Sequence, residues 1–206
     1  MSEYCIDDFN KLRDFINFFE FDLSSSSKIS QTLNICAVLA EVVLQSGMNY
    51  NNVVRPRIVR ILKNYPDLNT IDKMNNVLDF NKVQEILIWK GKIRIKRFLK
   101  LVFFLNEQRI NSTDELKLWL SLTSNQNQLL ELEGIGPKSL DYLKLLVGIS
   151  TIPIDRHLSN FAEMSGVSTK KYDYLSNLYK QVCKYLKVEY HILDSAIWNF
   201  MNSLLV

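Results

Sequence analysis

The chain has 206 residues, 47% of them hydrophobic and 23% charged, with a formal charge of +3 and a pI near 8.6. That balance excludes a disordered or fibrous chain, and so mild a charge does not by itself call for a polyanionic partner. Six glycines and four prolines are too few for an all-β chain with many tight turns, and no apolar run approaches the roughly 18 residues of a membrane span.

The N-terminus, MSEYCIDDFNK, is acidic and lacks the basic-then-apolar pattern of a signal peptide, which predicts a soluble intracellular protein, cytoplasmic or nucleoid-associated. A helix is expected from Ile6 to Phe21, with Phe9, Leu12, Ile16 and Phe19 on one face. Leu23–Lys28 is serine-rich and reads as a linker. A strongly apolar helix follows from Ser30 to Leu44, then a turn at Gly47 and a basic helix with Arg55, Arg57, Arg60 and Lys63, ended by Tyr65-Pro66. Short helices are expected over Thr70–Leu78 and Asn81–Ile88, and a longer one opens near Trp89 and reaches about Leu105. From Lys82 to Lys100 seven basic residues (Lys82, Lys90, Lys92, Arg94, Lys96, Arg97, Lys100) face one acid, Glu85. Such a run is either a solvated helix face or a surface for phosphates. The alternation Lys92–Lys96 also fits a strand, although helical neighbours favour a helix. Asn111–Glu115 carries capping residues for a further helix, and three more are expected over Asp155–Ser165, Lys170–Lys187 and His191–Leu205. Cys5, Cys36 and Cys183 are odd in number and far apart, so they read as reduced, buried thiols rather than a disulfide or metal framework.

The most informative stretch runs from Leu129 to Leu145. An apolar helix ends near Leu132, Gly134-Ile135-Gly136 makes a tight turn, and Pro137 stands where a second helix begins. Glycine accepts positive φ and close approach of another chain, and proline suits a first helical turn. The free N–H groups and positive dipole end of that second helix form an anion site. Downstream, a glycine turn leads to Ile152-Pro153-Ile154-Asp155-Arg156-His157, in which Asp155 can cap the next helix.

Leu132-Glu-Gly134-Ile-Gly136-Pro-Lys138 followed by Ile152-Pro-Ile-Asp155-Arg-His157 resembles the superfamily named for a helix-hairpin-helix, a Gly/Pro-rich loop and an aspartate. Its members are DNA glycosylases, among them the endonuclease III-like and 8-oxoguanine DNA glycosylase-like enzymes. The likeness is dense from about Leu129 to Gly166. It is looser at Val42–Gly47, which resembles the family's second helix, at the basic aromatic turn Ile88–Lys92, and at the last helix around Leu193–Phe200. The resemblance implies an all-α, two-lobed fold: one lobe of residues 29–150, and a second of 1–28 with 151–206 carrying Asp155. Lys138 stands on one wall of the intervening cleft in that picture and Asp155 on the other.

The resemblance further implies a phosphate grip at Gly134, Ile135, Gly136 and Lys138. A structural Na+ or K+ on the carbonyls of Leu130, Leu132 and Ile135 is implied in the same way, while the basic run itself offers DNA backbone contacts from Lys90, Lys92, Arg94, Lys96 and Arg97. No other cofactor and no catalytic metal are expected. Lysine-bearing members are bifunctional: a neutral amine at Lys138 would attack C1′ of a flipped nucleotide, form a Schiff base and lead to β-elimination, beside Asp155 stabilising positive charge on the sugar. Oxidised bases in duplex DNA are the expected substrate and a monomer the expected state. The alternatives are a monofunctional glycosylase for mismatched or alkylated bases, in which Asp155 activates water, and a non-catalytic DNA-binding module. His157 reads as structural, Trp89 as a core aromatic or a border of the base site, and Gln45–Asn49 as the region that fills the space left by a flipped base. With Cys183 alone near the C-terminus, the iron–sulfur cluster of many endonuclease III-like members is excluded. Leu204–Val206 lacks the terminal lysine of some 8-oxoguanine glycosylases.

Overall fold

The computed structural model describes residues 4–23 and 32–204, so the expected linker beyond Leu23, the start of the second helix at Ser30, and residues 205–206 lie outside it. Among the described residues there are twelve α-helices and one π-helical turn, and no strand. The protein is all-α. The Lys92–Lys96 alternation lies within a helix, because Ile95, Phe98, Leu101, Val102 and Leu105 recur at three- and four-residue steps and are all buried. No helix of the described residues is long and apolar enough to cross a membrane.

The chain divides into two compact units, Ser30–Ile149 and Met1–Ile29 with Ser150–Val206. In the first, α2 (Ile35–Leu44) is buried at all ten positions and packs against α3 (Arg55–Asn64), α4 (Ile71–Asn75), α6 (Lys92–Glu107) and α9 (Pro137–Leu146). A helix apolar on nearly every side belongs at the middle of a core. Its start is fixed by Asn34, whose side chain accepts from the Ala37 N–H at 3.0 Å. Between α2 and α3 lies the π-helical turn Tyr50–Val54. The helix α5 (Phe80–Leu87) is capped by Asp79 and ends at Ile88, a β-branched residue held at φ 45°. The left-handed region is strained for such a side chain. A reciprocal capping box of Ser112 and Glu115 starts α7 (Thr113–Trp119). The hairpin itself is formed by α8 (Thr123–Leu130) and α9.

In the second unit α1 (Ile6–Phe18) packs on α11 (Tyr172–Leu186), and α10 (Arg156–Met164) on α12 (Tyr190–Ser203). The first helix ends at Phe18 rather than at Phe21. Glu20 takes φ 46°, and the turn lets Phe19 and Phe21 join Phe161 and Phe200, with Phe19 and Phe200 at 4.3 Å between ring centroids. Burying these rings contributes more than one further turn of helix would. One expectation for the cysteines needs correction: Cys5 is exposed, because it precedes α1 at the surface, whereas Cys36 and Cys183 are buried. Burial pushes both buried thiols up to about 12.

Candidate functional site

The hairpin turn is tight and open at one end. After α8 the chain closes through Leu132 N–H to Leu129 O (3.2 Å) and Ile135 N–H to Leu132 O (3.0 Å), with Gly134 at φ 87°. Pro137 is the first residue of α9, and Gly136 precedes it with no side chain to cap the helix. The N–H groups of Gly134, Gly136, Lys138 and Ser139 therefore find no acceptor among the described residues. That of Ile135 is engaged inside the turn, which leaves it out of the expected anion set. Unpaired N–H donors at a helix N-terminus are the chemistry of a phosphate or carboxylate site. On the acceptor side, among the described residues the carbonyls of Leu130 and Ile135 take no hydrogen bond and that of Leu132 takes one. Neutral oxygens of this kind suit a monovalent cation. Among the described residues no group of three or more His, Cys, Asp or Glu is arranged to hold a metal ion.

The basic run is divided by the fold into inward and outward members. Arg94 lies over the Trp89 ring at 4.6 Å and donates from Nη2 to the carbonyl of Ser46 at 2.5 Å, tying the α2–α3 connection to the start of α6. Burial first, and then the Arg97 charge, pull its guanidinium below the ordinary value. Arg57 covers the same indole at 5.5 Å and donates to Val53 O, while Arg60 donates to the carbonyls of Glu85 and Ile86 at the end of α5. Trp89 is thus clasped by two arginines, and a Cβ at Gly91 would meet its Nε1 at 2.8 Å.

Arg97 is different. Its side chain crosses the hairpin turn at Gly134, where any Cβ would collide with Nε and Cζ, yet its guanidinium makes no hydrogen bond or ion pair among the described residues. Lys100, next to it, pairs with Glu133 at 2.6 Å and holds that carboxyl below its ordinary range, helped by the Arg97 and Lys96 charges. Lys90, Lys92 and Lys96 are exposed. Lys138 is the second residue of α9, half-buried, with no partner for its side chain among the described residues. One unit therefore brings together the free N–H groups of the turn, Lys138 at the same helix start, and an unengaged guanidinium across Gly134.

Asp155 belongs to the other unit. The segment before it, Thr151–Ile154, is buried, with the Ile154 N–H donating to the Tyr172 hydroxyl at 3.4 Å. Asp155 then caps α10: Oδ1 accepts from the N–H groups of His157 (2.8 Å) and Leu158 (3.0 Å). Oδ2 lies 3.0 Å from His157 Nδ1. Behind the cap, Tyr179, fully buried, donates its hydroxyl to Leu158 O at 2.7 Å and anchors the first turn of the helix.

A third carboxyl was not foreseen from the sequence. Glu41, alone among the apolar residues of α2, is buried and accepts from the Tyr142 hydroxyl of α9 at 2.7 Å, with the Tyr50 hydroxyl as a second partner. Burial raises its carboxyl above the ordinary 4.5, against the lowering by both tyrosines. The signal for it was the single acid in an otherwise apolar helix.

No family model and no curated protein sequence matches the chain. Among solved structures, the chain is similar to H. pylori 3-methyladenine DNA glycosylase (MagIII) bound to 1,N6-ethenoadenine. The likeness spans 86% of this chain and 82% of that one, with a TM-score of 0.59 and 19% identity. The fold is that of a helix-hairpin-helix DNA glycosylase. The neighbour acts on an alkylated base by its name, and in that respect it differs from the endonuclease III and 8-oxoguanine branches that the motif resembles.

Proposed function

We propose that this chain is a DNA glycosylase of base-excision repair that releases damaged bases from duplex DNA, with alkylated purines as its first substrates and hydrolysis as its chemistry. The observation that carries this reading is the glycosylase fold with an uncapped hairpin helix beside the unengaged Arg97. Free N–H groups and a guanidinium grip phosphates without reading sequence, which is what an enzyme that must scan DNA for lesions requires. In the hydrolytic step Asp155 supplies negative charge beside the sugar as the C1′–N bond breaks and its electron pair leaves with the base. A water then forms the new C1′–O bond and gives up its proton to the carboxylate or to solvent. Lys138, at the start of α9, serves the phosphate grip.

The preference for alkylated purines, in place of the oxidised bases expected from the lysine motif, is supported by the likeness to a 3-methyladenine glycosylase. A second reading keeps Lys138 as a Schiff-base nucleophile with lyase activity. It is favoured by the unpartnered side chain of Lys138, which sits at the position lysine holds in bifunctional members. Duplex oligonucleotides carrying 3-methyladenine, 1,N6-ethenoadenine, 8-oxoguanine, thymine glycol or an abasic site separate the two, assayed for base release and, with borohydride, for covalent trapping. Release of an alkylated base without trapping, surviving in Lys138→Gln with weakened binding, is expected. A trapped complex that disappears in Lys138→Gln establishes the lysine chemistry, and binding without release of any base leaves only a DNA grip.

A further inference from the structure

We infer that His157 is a positioning residue for Asp155, setting the direction of the one carboxylate lone pair left for the reacting sugar or water; this rests on the glycosylase reading. A carboxylate offers about four acceptor positions. Oδ1 of Asp155 uses two of them on the N–H groups of His157 and Leu158. Oδ2 lies 3.0 Å from Nδ1 of the His157 ring, which takes a third. One position on Oδ2 remains. The helix cap fixes the carboxylate at Oδ1 alone, a pivot about which the group still turns, and the imidazole contact removes that freedom.

The ring is itself held. Its side chain is 17% exposed against 25% for that of Asp155, and the Trp198 ring of α12 stands against it edge to face at 6.2 Å. Packing of α10 on α12 thus reaches Asp155 through the imidazole. The contact requires Nδ1 to carry the proton, the less common tautomer of a free imidazole, and it directs Nε2 away from the carboxylate. Misorientation of a catalytic group costs rate at saturating substrate more than it costs binding.

The test uses the two amides that mimic the two ring nitrogens. His157→Asn places an N–H donor near the position of Nδ1, and His157→Gln places one near that of Nε2. Single-turnover base release and DNA affinity are measured for both, with melting temperatures to confirm folding. The expected result is a drop of at least about tenfold in the saturated rate for His157→Gln with unchanged affinity, and a rate within about threefold of the parent for His157→Asn. Equal rates in both variants overturn the inference, as does retention in Gln with loss in Asn. Weakened binding with an unchanged saturated rate also overturns it, since His157 would then hold DNA. A readout independent of activity is the 15N spectrum of the imidazoles, simple to assign with two histidines in the chain. A His157 protonated at Nδ1 that loses this state in Asp155→Asn supports the inference, and a ring protonated at Nε2 alone sinks it. If the parent protein releases no base from any lesion, the glycosylase reading fails, while the spectrum still decides whether His157 holds Asp155.

Discussion

The starts of α9 and α10 solve one physical problem in opposite ways. Both leave backbone N–H groups without helical partners. At α10 the chain supplies its own anion, Asp155, which takes two of those donors and a ring nitrogen besides. At α9 it supplies none: Gly136 has no side chain, Pro137 has no N–H, and the remaining donors find no acceptor among the described residues. A capped terminus holds a carboxylate in place, and an uncapped one waits for an anion from elsewhere. On the proposed function, the same dipole serves chemistry in one unit and recognition in the other.

The largest expected effect comes from removing the charge at the closed terminus. Asp155→Asn keeps an acceptor for the capping N–H groups and loses the carboxylate, so base release is expected to fall by about 10²- to 10⁴-fold with little change in melting. Asp155→Ala adds the loss of a cap, about 0.5–2 kcal/mol of stability. Normal release in Asp155→Asn would place the chemistry elsewhere and break the contrast.

At the open terminus, Gly134→Ala forces a side chain into φ 87° and against Arg97. A cost of about 1–2 kcal/mol from the backbone alone is expected, together with displaced Arg97 and weaker DNA binding. Arg97→Gln isolates the second part. It is expected to leave stability within about 0.5 kcal/mol and to lower the slope of log affinity against log salt by about one contact. An unchanged slope would show that Arg97 does not meet DNA.

Gly136→Asp turns the open terminus into a closed one. The backbone there is extended and a Cβ meets nothing within 4 Å, so the new carboxylate has room to cap α9. The expected signs oppose each other, with stability rising by about 0.5–1 kcal/mol while DNA affinity falls, measured by melting and by binding at fixed salt. A variant that is stabilised and binds DNA as before would mean that the hairpin N–H groups do not receive phosphate.

The smallest effect concerns Glu41, a carboxyl held by hydroxyls and burial rather than by a helix terminus. Its folded value is raised above 4.5, so the folded protein binds the proton more tightly than the unfolded chain. The corresponding stability is present at low pH and is lost as pH rises through the raised value. Glu41→Gln removes that loss. The melting difference, variant minus parent, is therefore expected to grow from about pH 4 upward and to level off above the folded value. A difference constant with pH would show Glu41 to be as easily ionised as a surface acid.

Much of this was legible in the chain itself. Apolar spacing gave the helices, and the run of α2, apolar but for Glu41, announced a buried helix. Gly134, Gly136 and Pro137 identified the hairpin because a positive φ, an uncapped start and a first helical turn each favour one residue type. Asp155 as a cap was equally readable, since capping depends on residues two and three positions away. The end of α1 was not, because aromatic packing from Phe161 and Phe200, far along the chain, decided it.

What the sequence determined, then, was local: an all-α chain, an uncapped hairpin helix and a capped one, each fixed by neighbours within a few residues. Tertiary structure alone decided how the charges are used. The sequence counts Arg57, Arg60, Arg94 and Arg97 alike, but three donate to carbonyls 4 to 48 residues distant and the fourth crosses Gly134 with its donors free. It also decided that Glu41 meets Tyr142, 101 residues away. Whether a charged group faces solvent or satisfies a distant carbonyl depends on which segments fold against it, and no local pattern of residue types records that.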